Sequence, residues 1–175
     1  YLLFPGRHHL LTNFQFNTVH KLIEGGLEQE KDAHGNPFQV TDGIEAVLFA
    51  VTSSNHSNTR RNPLPLHMRA MAINDFAREL SKPAFVYDIP DVGVIPDFAR
   101  YTVETIAVKS GFTHVLNPLN TVVLCSTPSV IEMYNKLGFQ SHPAELTNLD
   151  KQEYSSPLPW EIVTQVSQSG KNWAK

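Results

Sequence analysis

Three groups of side chains in this chain of 175 residues have the chemistry of anion ligands. Arg7, His8 and His9, with His20 further on, follow a first apolar run. Asn55, His56, Asn58, Thr59, Arg60, Arg61 and Asn62 follow a second, and Ser126 and Thr127 a third. Arginine presents a planar fork of N–H groups to phosphate oxygens, and helix starts add oriented backbone amides. Pooled, the set predicts a phosphorylated ligand. Taken singly, each residue is equally well explained as the ordinary polar content of a surface loop.

Other chemistries find little support. The chain has no G-x-x-x-x-G-K-[ST] run and no G-x-G-x-x-G after the first strand, which argues against a P-loop ATPase or a nicotinamide-dependent dehydrogenase. His8 and His9 are adjacent and the single cysteine is distant, so zinc-ligand spacing is missing and no protein-held metal is expected. No G-x-S-x-G elbow supplies a serine nucleophile.

Residues of these types act together only if a scaffold gathers them. The run 1-YLLF-4 reads as a buried strand ended by Pro5-Gly6. From about Phe14 the residues Phe16, Val19, His20, Leu22 and Ile23 recur at helical spacing until Gly25-Gly26. The polar segment 27–43 reads as a surface excursion. The continuous apolar run 46-AVLFAVT-52 has the character of a central strand covered on both faces, and a helix is expected from Leu66 to about Leu80. The pattern repeats with strand 84-AFVYD-88, loop 89-IPDVGVIP-96 and a helix from about Asp97 to Val108. Strand 121-TVVLC-125 then precedes a helix through Val130, Met133, Tyr134 and Leu137, a short strand near Phe139, and a last helix from about Pro159 to Gln168. Strands alternating with helices predict an α/β fold, a Rossmann-like three-layer sandwich with a mostly parallel sheet. In such sheets ligands sit beyond the carboxyl ends of the strands, which selects loops 5–16, 53–65, 89–96 and 126–129.

Length predicts one domain spanning residues 1–175. A formal charge of −3 removes any general argument for nucleic acid or an anionic membrane as partner, and no apolar run reaches the length of a membrane span. The start lacks the pattern of a signal peptide, and Tyr1 in place of an initiator Met suggests a processed chain or a piece of a longer one. Cys125 is the only cysteine, so a reducing, cytoplasmic compartment is expected and the thiol is expected to be packed rather than reactive. The oligomeric state is left open, a homo-oligomer included.

The order of elements and the loop contents resemble the nicotinamide mononucleotide adenylyltransferases, members of the nucleotidyltransferase superfamily named for its His-x-Gly-His motif. The family's first loop reads like G-R-F-Q-P-x-H-x-G-H-L. Here Gly6-Arg7 is followed, after an apparent insertion HHLLTN, by 14-FQFNTVHKL-22, which places His20 at the second histidine, Asn17 at the first and Val19 at the glycine. A shifted alignment brings His8 or His9 to that place instead. The stretch 53-SSNHSNTRRNPLPLHMRAM-71 is similar to the family's second loop at Asn62, Pro63 and Arg69. Likewise 89-IPD-91 matches a loop near the nicotinamide mononucleotide site, and 124-LCSTPSVIEMYNKLGF-139 matches a strand, turn and helix. The tail 154–173 is similar to a final I-S-S-T-x-I-R, helix and G-x-x-W, although 155-SSPLPWE-161 offers no late arginine.

The resemblance implies adenylyl transfer from ATP, carried with Mg²⁺, to nicotinamide mononucleotide, forming NAD. It assigns Arg7, His20 and Asn17 to catalysis at the triphosphate. Gly6, Arg60, Arg61, Asn62, Arg69, Ser126 and Thr127 are assigned to nucleotide binding, and Asp91 to the second substrate. The departures at Asn17, Val19 and the late arginine leave an alternative, a degenerate module of the same fold that binds or hydrolyses nucleotide without transferring it.

Overall fold

A computed structural model describes residues 1–169. Five strands form one sheet in the order β3-β2-β1-β4-β5, and every pairing in it is parallel. They are β1 (Leu2–Gly6), β2 (Val47–Thr52), β3 (Ala84–Ile89), β4 (Val122–Leu124) and β5 (Ser141–His142). The connecting helices are α1 (Asn13–Gly25), α2 (Leu66–Ala77), α3 (Phe98–Lys109) and α4 (Pro128–Lys136). The fold is thus the α/β, Rossmann-like three-layer arrangement that the alternation of strands and helices predicts.

The layers follow from period-two alternation along the central strands. Leu2, Phe4, Val47, Phe49 and Val51 face one side, where they pack on Val19, Leu22 and Ile23 of α1 and Ile73 of α2. Leu3, Leu48, Ala50 and Val123 face the other, against Ala99 and Ile106 of α3 and Ile131 and Tyr134 of α4. Strands buried on both faces have no polar positions to alternate, and so β2 reads as an unbroken apolar run.

Strand order also fixes where a ligand can sit. From β1 the chain winds outward through β2 to the edge strand β3, then crosses back to place β4 on the other flank of β1. The loops after β1 and β4 therefore diverge to opposite faces and open a crevice above the sheet, the usual ligand position in doubly wound folds.

Several elements differ from the sequence expectation. The first strand runs through Pro5 to Gly6, because residues 5 and 6 continue the register opposite Ala50 and Val51. The strand expected near Phe139 begins at Ser141. Gly138, at φ 89°, first turns the chain so closely past Pro118 that a Cβ there would lie 3.2 Å from a ring carbon, and Phe139 packs edge-on against Tyr134. The surface excursion is anchored by buried Asp32, whose Oδ1 accepts the backbone N–H groups of His34 and Asn36 at 3.0 and 2.8 Å. Its Oδ2 accepts Gln140 Nε2 at 2.9 Å, and Phe38 and Ile44 enter the core. A hairpin of β6 (Leu146–Asn148) and β7 (Glu153–Tyr154) adds to the expected elements, since strands of three and two residues carry no legible periodicity. It precedes α5 (Pro159–Ser169). The G-x-x-W ending of the family pattern, Gly170 to Trp173, lies outside the described residues.

Candidate functional site

A cleft of about 980 Å³ lies over the carboxyl ends of the strands, at the upper end of the range of small-molecule sites. Loops after β1, β2, β3 and β4 contribute to it, together with residues 144–145 and the start of α5. Gly6, Arg7, His8, His9, Arg60, Arg61, Asn62, Asp91, Ser126 and Thr127 all line it.

The β1 loop is built on His8. Its backbone takes φ 53°, and the buried ring turns back beneath the loop, where Nε2–H donates to Phe4 O at 2.9 Å. The ring packs edge-on against Phe4 and Phe49 and lies over Gly6, where an added Cβ would approach it to 3.3 Å. Burial pushes the His8 pKa down to about 4, so the ring is a neutral strut. His9 points the other way, to the rim, with Nε2 3.3 Å from Asn62 Oδ1. Burial is also the main cause of its lowered pKa, which the Asn62 contact opposes and the nearby Arg69 and Arg7 charges reinforce.

Loop 53–65 is closed on itself. Thr59 N donates to Asn62 O at 3.1 Å, Asn62 N to Thr59 Oγ1 at 2.9 Å, and Asn58, at φ 56°, donates its N–H to Pro63 O at 3.3 Å. This turn leaves Arg60 and Arg61 exposed and brings the Arg61 carbonyl to Arg7, whose Nη1 donates to it at 2.7 Å. Burial and the Arg61 charge both lower the Arg7 pKa. Among the described residues no carboxylate pairs with Arg7, Arg60 or Arg61. Cations gathered without counter-charges form a local positive patch on a chain of formal charge −3.

Arg69 is displaced from its expected role as a nucleotide contact. It is fully buried beneath the cleft and does not line it. Its Nη1 donates to the carbonyls of Arg7 and Thr52 at 3.1 and 3.0 Å, and Nη2 to those of Ser53, Ser54 and His56 at 3.0, 3.4 and 3.1 Å. One guanidinium therefore fastens the first two loops together. The expected catalytic pair Asn17 and His20 also falls elsewhere. Both are exposed on α1, His20 is stacked on Phe16 at 6.0 Å, and neither lines the cleft. Both lie within α1, which starts at Asn13. Thr12 caps it, with Oγ1 accepting Gln15 N at 3.2 Å and the Gln15 side chain accepting Thr12 N at 3.1 Å. Residues 17 and 20 thereby fall in the second turn, past the loop that meets the cleft.

Asp91 reaches the cleft from the β3 loop. Its backbone is paired with Asn55, Asp91 N donating to Oδ1 at 2.7 Å and Asn55 Nδ2 to Asp91 O at 3.0 Å. Its carboxylate lies 3.3 Å from His56 Nε2 and accepts Gly93 N at 2.9 Å. Beyond β4, Ser126 donates to Glu145 Oε2 at 2.5 Å, while Thr127 leads into α4 with no side-chain cap on the helix N-terminus. Cys125 also borders the cleft, but burial raises its thiol to about 11, which leaves it protonated and unreactive. Glu145, Trp160 and Phe98 line the cleft without having been singled out from the sequence. Glu145 precedes the polar C-terminal tail and Trp160 lies within it, where the only sequence signal is the resemblance to a family segment whose late arginine is missing here.

Fold and cleft together define a Rossmann-like α/β protein with a cationic crevice at the point where the strand order reverses. Comparison with protein-family models gives no match, and no curated protein matches the chain. No helix among the described residues is long and apolar enough to cross a membrane.

Proposed function

We propose that this protein binds a nucleotide triphosphate in the cleft and transfers its adenylyl group to nicotinamide mononucleotide or a closely related phosphorylated acceptor. The observation that supports this reading is the convergence of Arg7, Arg60 and Arg61, none with a carboxylate partner among the described residues, beside His9 on one rim. An acceptor phosphate oxygen attacks the α-phosphorus of ATP, the bond from that phosphorus to the bridging oxygen breaks, and pyrophosphate leaves. Such a reaction asks the protein mainly to position both reactants and to offset developing negative charge.

In this reading His9 takes the place first given to His20. Its ring precedes the cap of α1 by three residues and faces the cleft, with Arg7 as the nearest fixed cation on the same loop. Asp91, held by Asn55 and His56 at the far loop, is positioned toward the acceptor. Mg²⁺ enters on the triphosphate as part of the substrate, and no group of three or more candidate metal ligands occurs among the described residues.

A second reading keeps the nucleotide and drops the transfer. It is favoured by the neutral character of His9 and by Trp160 in place of the late arginine, since each missing preorganised donor costs roughly 3–4 kcal/mol of transition-state stabilisation. Incubation with MgATP and nicotinamide mononucleotide separates the two. Transfer yields NAD and pyrophosphate in equal amounts, abolished by His9→Ala and Arg7→Ala but retained by His20→Ala. Phosphate without NAD indicates hydrolysis. Thermal stabilisation by ATP with neither product indicates a binding module.

A further inference from the structure

The cations come from the loops after β1 and β2, but the part of the cleft beyond β4 has a different chemistry. There Val130, Leu158, Trp160 and Val163 supply apolar lining, and one carboxylate, Glu145, lies among them. Glu145 is only 2% exposed. Its orientation is fixed by a two-way contact with Ser126, whose Oγ–H donates to Oε2 at 2.5 Å and whose Oγ accepts Glu145 N at 2.8 Å. The Glu145 carbonyl is held in turn by Ser155, through N at 2.7 Å and Oγ at 3.0 Å. The remaining oxygen, Oε1, is buried and has no hydrogen-bond partner among the described residues. A buried carboxylate oxygen without a donor is costly, and such groups are uncommon in folded proteins. Because Ser126 has already given its hydrogen to Oε2, Oε1 is left as an acceptor in want of an N–H or O–H. Close by, Trp160 lines the cleft while 51% exposed, a large ring with a face available for stacking.

We infer that Glu145 Oε1 accepts a hydrogen bond from an amino group on the base of the bound nucleotide, with Trp160 stacked on the ring. The inference rests on the nucleotide reading above and adds to it what selects the base. An apolar slot takes the heterocycle, the stacking face orients it, and a fixed acceptor at the slot's edge demands a donor. A purine with no amino group leaves Oε1 unpaired, so the discrimination comes from the unmet need of a buried group rather than from added attraction.

Isothermal titration of the full chain with ATP and with purine riboside 5′-triphosphate, which lacks the amino group, tests this without altering the protein. ATP is expected to bind tighter by about tenfold or more, the cost of leaving a buried acceptor without a partner. In Glu145→Gln the amide oxygen can keep the Ser126 bond and place an N–H where Oε1 stood. The preference is then expected to collapse to about one, because that N–H suits a bare ring nitrogen. Affinities within about twofold in the unaltered protein, or an unchanged ratio in Glu145→Gln, overturn the inference and leave nucleotide binding standing. Binding of neither triphosphate overturns both. Trp160→Ala is expected to weaken both ligands alike, and unchanged affinities would remove stacking from the proposal.

Discussion

His8 shows how a residue type can be noticed in a sequence and its role misjudged. A histidine beside an arginine in a loop after a strand is an obvious anion ligand, yet this one sits at φ 53° with its ring under the loop and its Nε2–H on Phe4 O. Its folded-state pKa, about 4, is below the 6.5 of an exposed histidine, so between these values the unfolded chain binds the extra proton. Stability from this group is therefore full above about pH 6.5 and is lost as pH falls toward 4, by about 3 kcal/mol in all. His142, buried beside Glu30 and also lowered mainly by burial, adds to the same trend. Urea unfolding of His8→Leu across this range is expected to show a shallower acid dependence by close to one proton, whatever its absolute stability. An unchanged slope would mean that His8 is not titrating in a buried site. Only the backbone separates His8 from His9, and no residue pattern states which of two adjacent side chains turns inward.

Among elements, the long ones were legible and their junctions were not. The apolar runs of β1, β2, β3 and β4 and the stripes of α1 and α3 fall where pattern places them, because burial of a face dictates composition over many residues. The start of α1 at Asn13 falls within a residue of the expected Phe14, although its capping pair, Thr12 and Gln15, lies inside what reads as an insertion. His20, placed at the family's second histidine by the resemblance, stands on the helix, whereas His9 lines the cleft. Arg69 falls on the family pattern for a site residue, and its tertiary role is invisible in the local sequence. Five carbonyls from two loops meet one planar, always-charged group, which a lysine ammonium cannot span. Arg69→Leu removes the side-chain donor from all five carbonyls, of which Ser53 O still accepts His56 N, with an expected loss of about 3 kcal/mol in chemical unfolding. Arg69→Lys is expected to recover less than half of it. The same loops carry the strained backbone of His8, Ser53 and Asn58, at φ 53°, 50° and 56°, so release of Arg69 should also weaken ligand binding.

For the molecule as a whole, the question is why a chain of net charge −3 should hold a polyanion. Net charge is a sum over the entire surface, whereas a ligand in the cleft responds to charges within about 8–10 Å at physiological salt. Four of the acidic residues are paired away from the cleft: Glu30 with Lys21 and His142, Asp75 with Arg78, Asp97 with Arg100, Asp88 with Lys109. Over the crevice stand Arg7, Arg60 and Arg61, brought together because the strand order reverses beside β1, while the cleft carboxylates Asp91 and Glu145 lie against His56 and Ser126 rather than against these arginines. If this patch grips the phosphates, triphosphate affinity should fall as salt rises from 50 to 500 mM, while adenosine affinity stays flat. Arg60→Gln/Arg61→Gln should reduce both the triphosphate affinity and its salt slope. The pH response follows from His9, whose pKa is lowered by burial and then by the neighbouring arginines. A bound polyanion offsets the arginine part, so binding draws a proton onto His9 and affinity should rise as pH falls from 8 toward 6, an increase absent from His9→Gln. Titration calorimetry in two buffers of different ionisation enthalpy reads that proton directly. Equal salt slopes for adenosine and ATP would place the phosphates away from these arginines, however well the crevice fits the ligand by volume.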